Sequence, residues 1–260
     1  MTSRLPVSIR VLAVLAVSFV ALPLLSLLWR VPWARLATLL TRNAVMDALL
    51  LSVTTSVVAA LISLALGVPL ALQLSRMTGL AVSAIRAVVV LPMILPPVVG
   101  GAALLFAFGR NGLVGSVLAD ITGLVFPYTI GGVVLANTFV ALPFVVITVE
   151  GALRAIDPRY ELAASTLGAN RSRLTFKIVL PMVRPALIAG GFIAWARALG
   201  EFGATITFAG NIQGKTQTLP LAVFVALESD REAALVMSVL LVSVSLIVLV
   251  SLRDRWWPVR

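Results

Sequence analysis

Cysteine and histidine are both absent from these 260 residues. Without them the chain forms no disulfide, offers no thiol nucleophile, builds no Cys/His zinc site and runs no imidazole acid–base chemistry. Acidic side chains are scarce too, ten Asp and Glu against twenty Lys and Arg, for a formal net charge of +10. Little remains from which to assemble an enzyme active site, and none is expected. What the chain has instead is apolar surface: 60% of its residues are hydrophobic and only 12% are charged. No soluble fold buries that much, so the composition reads as an all-α polytopic membrane protein. Positive charge of this size on a soluble protein would suggest nucleic acid. Here the basic residues fall in loops between apolar runs, so topology explains them and no nucleic-acid partner is expected.

Six transmembrane spans are expected, at about 9–28, 48–74, 87–108, 128–149, 186–208 and 233–252, in one domain covering 1–260. The first run follows Arg4 and Arg10 and is longer than a signal-peptide core. No small-residue cleavage site closes it, and Trp29 and Trp33 stand at its end as interfacial anchors would, so it reads as a retained span. Gly67 and Pro69 predict a kink in the second span. Six spans place both termini on one side. With that side inside, Arg4, Arg10, Arg76, Arg86, Arg154, Arg159, Arg171, Arg173, Lys177, Arg184, Arg253, Arg255 and Arg260 are cytoplasmic, thirteen in all. Arg30, Arg35, Arg42, Arg110, Lys215 and Arg231, six in all, are outside, and Arg197 is intramembrane. The excess of basic residues puts both termini and the segment 150–185 in the cytoplasm.

Within that segment, DPRYELAASTLGANRSRLTFKIVLP (157–181) is the longest polar interruption of the chain. Asp157 suits an N-cap, Pro158 the first helical position, and Gly168 a left-handed terminus. The helix between them spans roughly 15 Å, too short to cross a bilayer. Tyr160, Ala163, Ala164 and Leu167 fall on one face, with two alanines at its centre that let another backbone come close. Two readings stay open on shape alone: a docking plug, or a linker lying on its own protein or on lipid.

Two other stretches carry candidate chemistry. LPMILPPVVGG (91–101) cannot be regular helix throughout, because each proline removes a backbone hydrogen bond. Broken helices at membrane depth line transport paths in many carriers, which makes Pro96, Pro97 and Gly100 path candidates; a packing kink is the alternative. Arg197 and Glu201 lie four residues apart on the fifth span, near Thr205. Ionisable groups at that depth need a partner or a wet cavity. Either the pair is a structural salt bridge, or Arg197 lends positive potential to an anion path while Glu201 fixes its rotamer. GNIQGKT (210–216) lacks the spacing of a phosphate-binding loop and follows no strand, so the chain is expected to carry no ATPase site.

Gly168, nine residues, Ile178, one residue, then Leu180-Pro181, with Ala163-Ala164 ahead, resembles the EAA signature of ABC importer permease subunits. The family's Glu position is occupied by Leu162, with Glu161 one residue earlier. The resemblance implies that this segment is the coupling helix that fits a cleft in a partner ATPase, and it carries over for Ala163, Ala164, Gly168, Ile178, Leu180 and Pro181. Tyr160 and Leu167 join these coupling residues from the helical face, and Glu161 either contacts the ATPase from a shifted direction or only supports the helix N-terminus. ARALGEFGATITFAGNIQGKTQTLPLAVF and LPMILPPVVGGAALLFAFGRNGLVG, read together, resemble molybdate permease subunits over roughly 43–252. That implies a homodimer of six-span subunits in a prokaryotic plasma membrane. It also implies two cytoplasmic ATPase subunits that use ATP and Mg, an extracytoplasmic oxyanion-binding protein, and no cofactor on this chain. Sulfate, thiosulfate and tungstate stay open as cargo, because sulfate permeases carry related segments. A gradient-driven secondary transporter is the rival from another class.

Overall fold

A computed structural model describes residues 6–251, and all the regular structure among them is helical. Helix α1 (Val7–Arg30) is apolar around its whole circumference and buries none of its residues. A 3₁₀ turn at Trp33–Arg35 and the short α2 (Leu36–Leu40) lead into α3 (Asn43–Arg76), 34 residues long with Pro69 inside it. At 1.5 Å per residue α3 is about 51 Å long, well beyond a hydrocarbon core of about 30 Å.

Helix α3 is the axis of the bundle. Its buried stripe is made of small side chains: Ser52, Thr55, Ser56, Ala59, Ala60, Ser63, Gly67 and Ala71. They recur at the helical spacing that lines one face. Small residues let backbones approach where no water remains to be expelled, which is how helices associate in lipid. The partner across the seam is α7 (Ile130–Arg154), which presents Val133, Ala136, Asn137, Val140, Ala141, Val145 and Val149. A Cβ added at Gly67 would stand 2.9 Å from Val145 Cγ1, so the fit there requires glycine.

The span expected at 87–108 is not one helix. It divides into α4 (Leu80–Ile94) and α5 (Pro97–Phe108), bent by 119°. Leu95 and Pro96, each followed by a proline, are held in extended backbone, with ψ of 139° and 131°. A short α6 (Gly115–Thr122) then precedes α7. The span expected at 186–208 is broken as well: α8 (Pro158–Thr166) and α9 (Arg171–Leu174) come first, then a wide turn over Thr175–Val179. The three-residue α10 (Leu180–Met182) and α11 (Arg184–Leu199) follow, and α12 (Gly203–Phe208) begins only after a gap at Gly200–Phe202. Residues 171–182 and 184–199 meet at 69°.

An apolar helix that the span count did not include, α13 (Leu219–Ser229), has 11 residues and folds back before α14 (Arg231–Ser251). Helices α1, α3 and α7 are each long and apolar enough to cross a membrane, and each bent pair passes the same test as a unit. Leu252, the expected end of the last span, and Arg4, Arg253, Arg255 and Arg260 lie outside the described residues.

Charged residues gather at the two ends of α3. At its start Arg42 donates to Asp230 and Arg35 donates to Glu232, both at 2.6 Å, tying α2 and α3 to the corner between α13 and α14. Asp230 also accepts the Ala233 N–H and so caps α14. That N–H, and then Arg42, hold its carboxyl below the usual 3.8. At the other end of α3 stand Arg76, Arg86, Glu150, Arg154 and Glu161.

Helix α5 crosses α12 at close range. A Cβ on Gly101 would lie 2.6 Å from Thr207 Cβ and 2.9 Å from the Ala204 carbonyl oxygen, backbone that has nowhere to go. Gly101→Val is therefore expected to destabilise the purified protein by about 1–3 kcal/mol, read as a lower thermal midpoint in detergent. Gly151→Ala, where an added Cβ meets nothing within 4 Å, is the control and should hold or raise the midpoint.

Candidate coupling and translocation sites

Helix α8 starts where Asp157 accepts the Arg159 N–H at 2.9 Å and Pro158 takes the first turn. It ends at Thr166 with Leu167 as its cap, and Gly168 follows at φ +79°, the left-handed region that favours glycine. Asn170 then caps the next helix by accepting the Arg173 N–H. This short polar unit is held to the bundle at two points. Ala164 is 7% exposed and packs in the same cluster as Leu74, Val149, Leu153, Leu174 and Val179. Glu161 pairs with Arg76 at the end of α3, at 3.5 Å.

The face drawn from the sequence therefore divides. Ala164 and Glu161 turn toward the chain itself, while Tyr160, Ala163 and Leu167 stay exposed, Leu167 at 87%. Leu162, at the position where the related signature has Glu, is 68% exposed. The outward surface thus presents Tyr160, Leu162, Ala163 and Leu167 beside exposed Arg159, with an apolar side chain at the signature's Glu position. Further along, Ile178 and Leu180 are half-buried against the core, and Pro181 is exposed. Leu180 also borders a cavity of about 700 Å³ between α3 and α11, lined by apolar side chains such as Leu61, Leu64, Phe192 and Trp195. That lining offers an anion nothing.

The path candidates come together at the crossing of α5 and α12. Pro96 and Pro97 are exposed at the bend, and Gly100 is buried, where an added Cβ would stand 3.2 Å from the Phe139 ring. Pro97 lies against Gly203, the first residue of α12. Glu201 does not sit on the same helix as Arg197, because α11 stops at Leu199. It sits in the break, 2% exposed, where Oε2 accepts from Arg197 Nη1 and Oε1 accepts the Ala204 N–H at 2.7 Å. The carboxylate thus caps α12 and neutralises Arg197 at once, which is what an interrupted helix in apolar surroundings requires. Thr205 is fully buried in the seam, donating to Asn137 Oδ1 at 3.4 Å, while Asn137 Nδ2 reaches Thr55 Oγ1 at 3.5 Å. It faces other helices of the same chain.

The GNIQGKT stretch closes on itself. The Ile212 carbonyl accepts the N–H groups of Lys215, Thr216 and Gln217, and Thr216 Oγ1 accepts the Ile212 N–H. No strand precedes it among the described residues.

Two features escaped the sequence reading. One is α13, whose first N–H is taken by Ser52 Oγ on α3 at 2.6 Å; Thr218 and Pro220 at its start are the local sign of it. The other is a cluster of Arg86, Glu150 and Arg154, in which Arg86 is 64 residues from the carboxylate it meets. No spacing rule reaches across that distance.

The model of the family described as "binding-protein-dependent transport system inner membrane component" matches residues 63–256. The chain belongs to that family. Among relatives of this permease, the molybdenum transport system permease protein ModB of Mycobacterium tuberculosis is 44% identical over 243 residues, covering 94% of this chain and 92% of the relative. The sulfate transport system permease protein CysT of Salmonella typhimurium is 38% identical over 222 residues, covering 85% and 80%. A subunit of a solved bacterial alginate ABC transporter superposes with a TM-score of 0.76 at 18% identity, covering 95% of this chain and 93% of that one. At that identity the superposition speaks for the fold alone: this is a multi-pass permease with the ABC importer fold.

Removing the Glu201 side chain leaves Arg197 without its partner and α12 without its cap. Glu201→Ala is expected to cost about 3 kcal/mol, and Glu201→Gln, which keeps the capping oxygen, clearly less. Thermal unfolding of the two variants in detergent, side by side, measures the difference.

Proposed function

We propose that this permease is the membrane subunit of an ATP-driven importer that carries molybdate into the cytoplasm. The observation that carries the cargo assignment is the near full-length, 44% match to a permease named for molybdenum transport. The 38% match to a sulfate permease favours one second reading, sulfate or thiosulfate import through the same scaffold. Tungstate shares the shape and charge of molybdate and belongs with the first reading.

The mechanism needs no covalent chemistry on the anion. The permease works as a homodimer joined to two cytoplasmic ATPase subunits, and an extracytoplasmic binding protein delivers the oxyanion. Both termini and α8 face the cytoplasm, consistent with the basic residues gathered at that end of α3. ATP and Mg are bound by the partner, and this chain holds no cofactor. Closure of the ATPases draws the two copies of α8 together through Tyr160, Ala163 and Leu167, which stand clear of the bundle. Ala164, packed in the core, and Glu161, on Arg76, pass that displacement to α3 and α7. Gly168, Ile178, Leu180 and Pro181 fix the direction in which the segment re-enters the bundle. On the far side, the α5–α12 crossing at Pro96, Pro97, Gly100 and Gly203 is where the path opens. Arg197, half-buried, presents the positive end of its ion pair with Glu201 there.

Labelled molybdate uptake in cells with and without the gene tests the cargo. Loss on deletion, with competition by tungstate and not by sulfate, is the expected result; lost sulfate uptake with intact molybdate uptake moves the protein to the second reading. The coupling surface is tested separately by Ala163→Trp, which adds bulk on the exposed face. It should cut uptake at least about tenfold with normal membrane levels and a normal thermal midpoint. Unchanged uptake would count against docking at α8. Ala164→Trp tests something else, because its bulk enters the core and unseats the helix.

A further inference from the structure

Arg86, on α4, and Arg154, at the end of α7, converge on the same two acceptors. Each donates Nε–H to Glu150 Oε1, at 2.7 and 2.9 Å, and Nη2–H to the Leu74 carbonyl, both at 3.0 Å. Leu74 lies in the last turn of α3, where carbonyls have no partner within the helix. One guanidinium would satisfy that carbonyl and neutralise Glu150. The second adds a net positive charge beside the first, and like charges this close repel.

Both guanidiniums spend the same edge on the protein. Among the described residues, neither Nη1 has an acceptor. The two side chains and Glu150 between them line a cavity of about 360 Å³, whose other walls include Val89, Val90, Ile147 and Gly151. Beside Gly151 the space is open, since a Cβ there would meet nothing within 4 Å. Planar guanidinium edges match the oxygens of a tetrahedral anion, which would also relieve the repulsion between them.

We propose that Arg86 and Arg154 hold one tetrahedral oxyanion group in this cavity, at the α8 end of the permease. The group has two sources with the same chemistry: a free oxyanion, or the phosphate of an anionic phospholipid whose chains lie along Val89, Val90 and Ile147. The site is separate from the α5–α12 crossing and does not depend on which anion is imported. Glu150 is a positioning residue that sets the two forks side by side.

The test uses the full chain purified in detergent. In one arm, native mass spectrometry counts phosphatidylglycerol retained per chain, with phosphatidylcholine as the control. In the other, equilibrium dialysis measures binding of labelled phosphate, sulfate and molybdate. The variants are Arg154→Gln, which removes one fork, and Gly151→Leu, which fills the cavity from its open wall and leaves all three charged residues in place. One bound lipid or one bound oxyanion per chain is expected, weakened at least about tenfold by both variants. Retention of lipid alone assigns the headgroup, and binding in dialysis alone assigns the free anion. No binding in either arm, or binding that survives either variant in a folded protein, overturns the proposal. Because neither arm reads uptake, its failure would leave the import assignment standing.

Discussion

A helix that stops inside an apolar layer leaves backbone N–H and C=O groups with no water to meet, and each must find a partner in the protein. The architecture of this permease depends on that constraint, because so many of its helices stop early. Glu201 takes the Ala204 N–H at the break before α12, and Ser52 takes the Leu219 N–H where α13 begins. Thr129 takes the Gly132 N–H at the start of α7, and two arginines cover the Leu74 carbonyl near the end of α3. Several of these partners come from a different helix than the one they complete. Satisfying an end and fixing the packing of two elements are then the same event.

Close approach is the second requirement, and glycine supplies it at few but decisive positions. Gly67 lets α7 reach α3, and Gly101 and Gly203 let α5 lie across α12. Arg197 is tolerated in this setting because its carboxylate is already fixed by a backbone N–H. The pair is therefore a joint in the scaffold whether or not a passing anion also senses the guanidinium.

Local structure was legible wherever its cause is local. Asp157, Pro158 and Gly168 bound α8 through a cap, a first-turn proline and a left-handed terminus, all within twelve residues of chain. The prolines at 96 and 97 announce a break but not its angle, because 119° is set by what α5 meets on α12. The fifth span reads as continuous in hydropathy, since Gly200 and Phe202 are compatible with helix, and the approach of Pro97 to Gly203 at the break comes from a distant part of the chain. The same limit hides the division of the α8 face, where a period of 3.6 groups Ala164 with Tyr160 but cannot say which of them meets the core. Helix α13 is too short to register as a span, although Pro220 stands in its first turn. The Arg86–Glu150–Arg154 cluster joins residues that only the packing of α4 on α7 brings together.

Helix α3 has a mechanical consequence. It is fastened near both ends by charged groups, to the α13–α14 corner through Arg42 and to α8 through Arg76. From Ser52 to Ala71, between those fastenings, its buried residues are only serine, threonine, alanine and glycine, and the larger buried Leu74 comes near the α8 end. Such a rod is a lever with a low-friction bearing. Over a length of about 51 Å, a tilt of about 5° carries the far end about 4 Å. A modest push on α8 would then arrive at the opposite surface as a displacement wider than a water molecule, without any helix having to unwind.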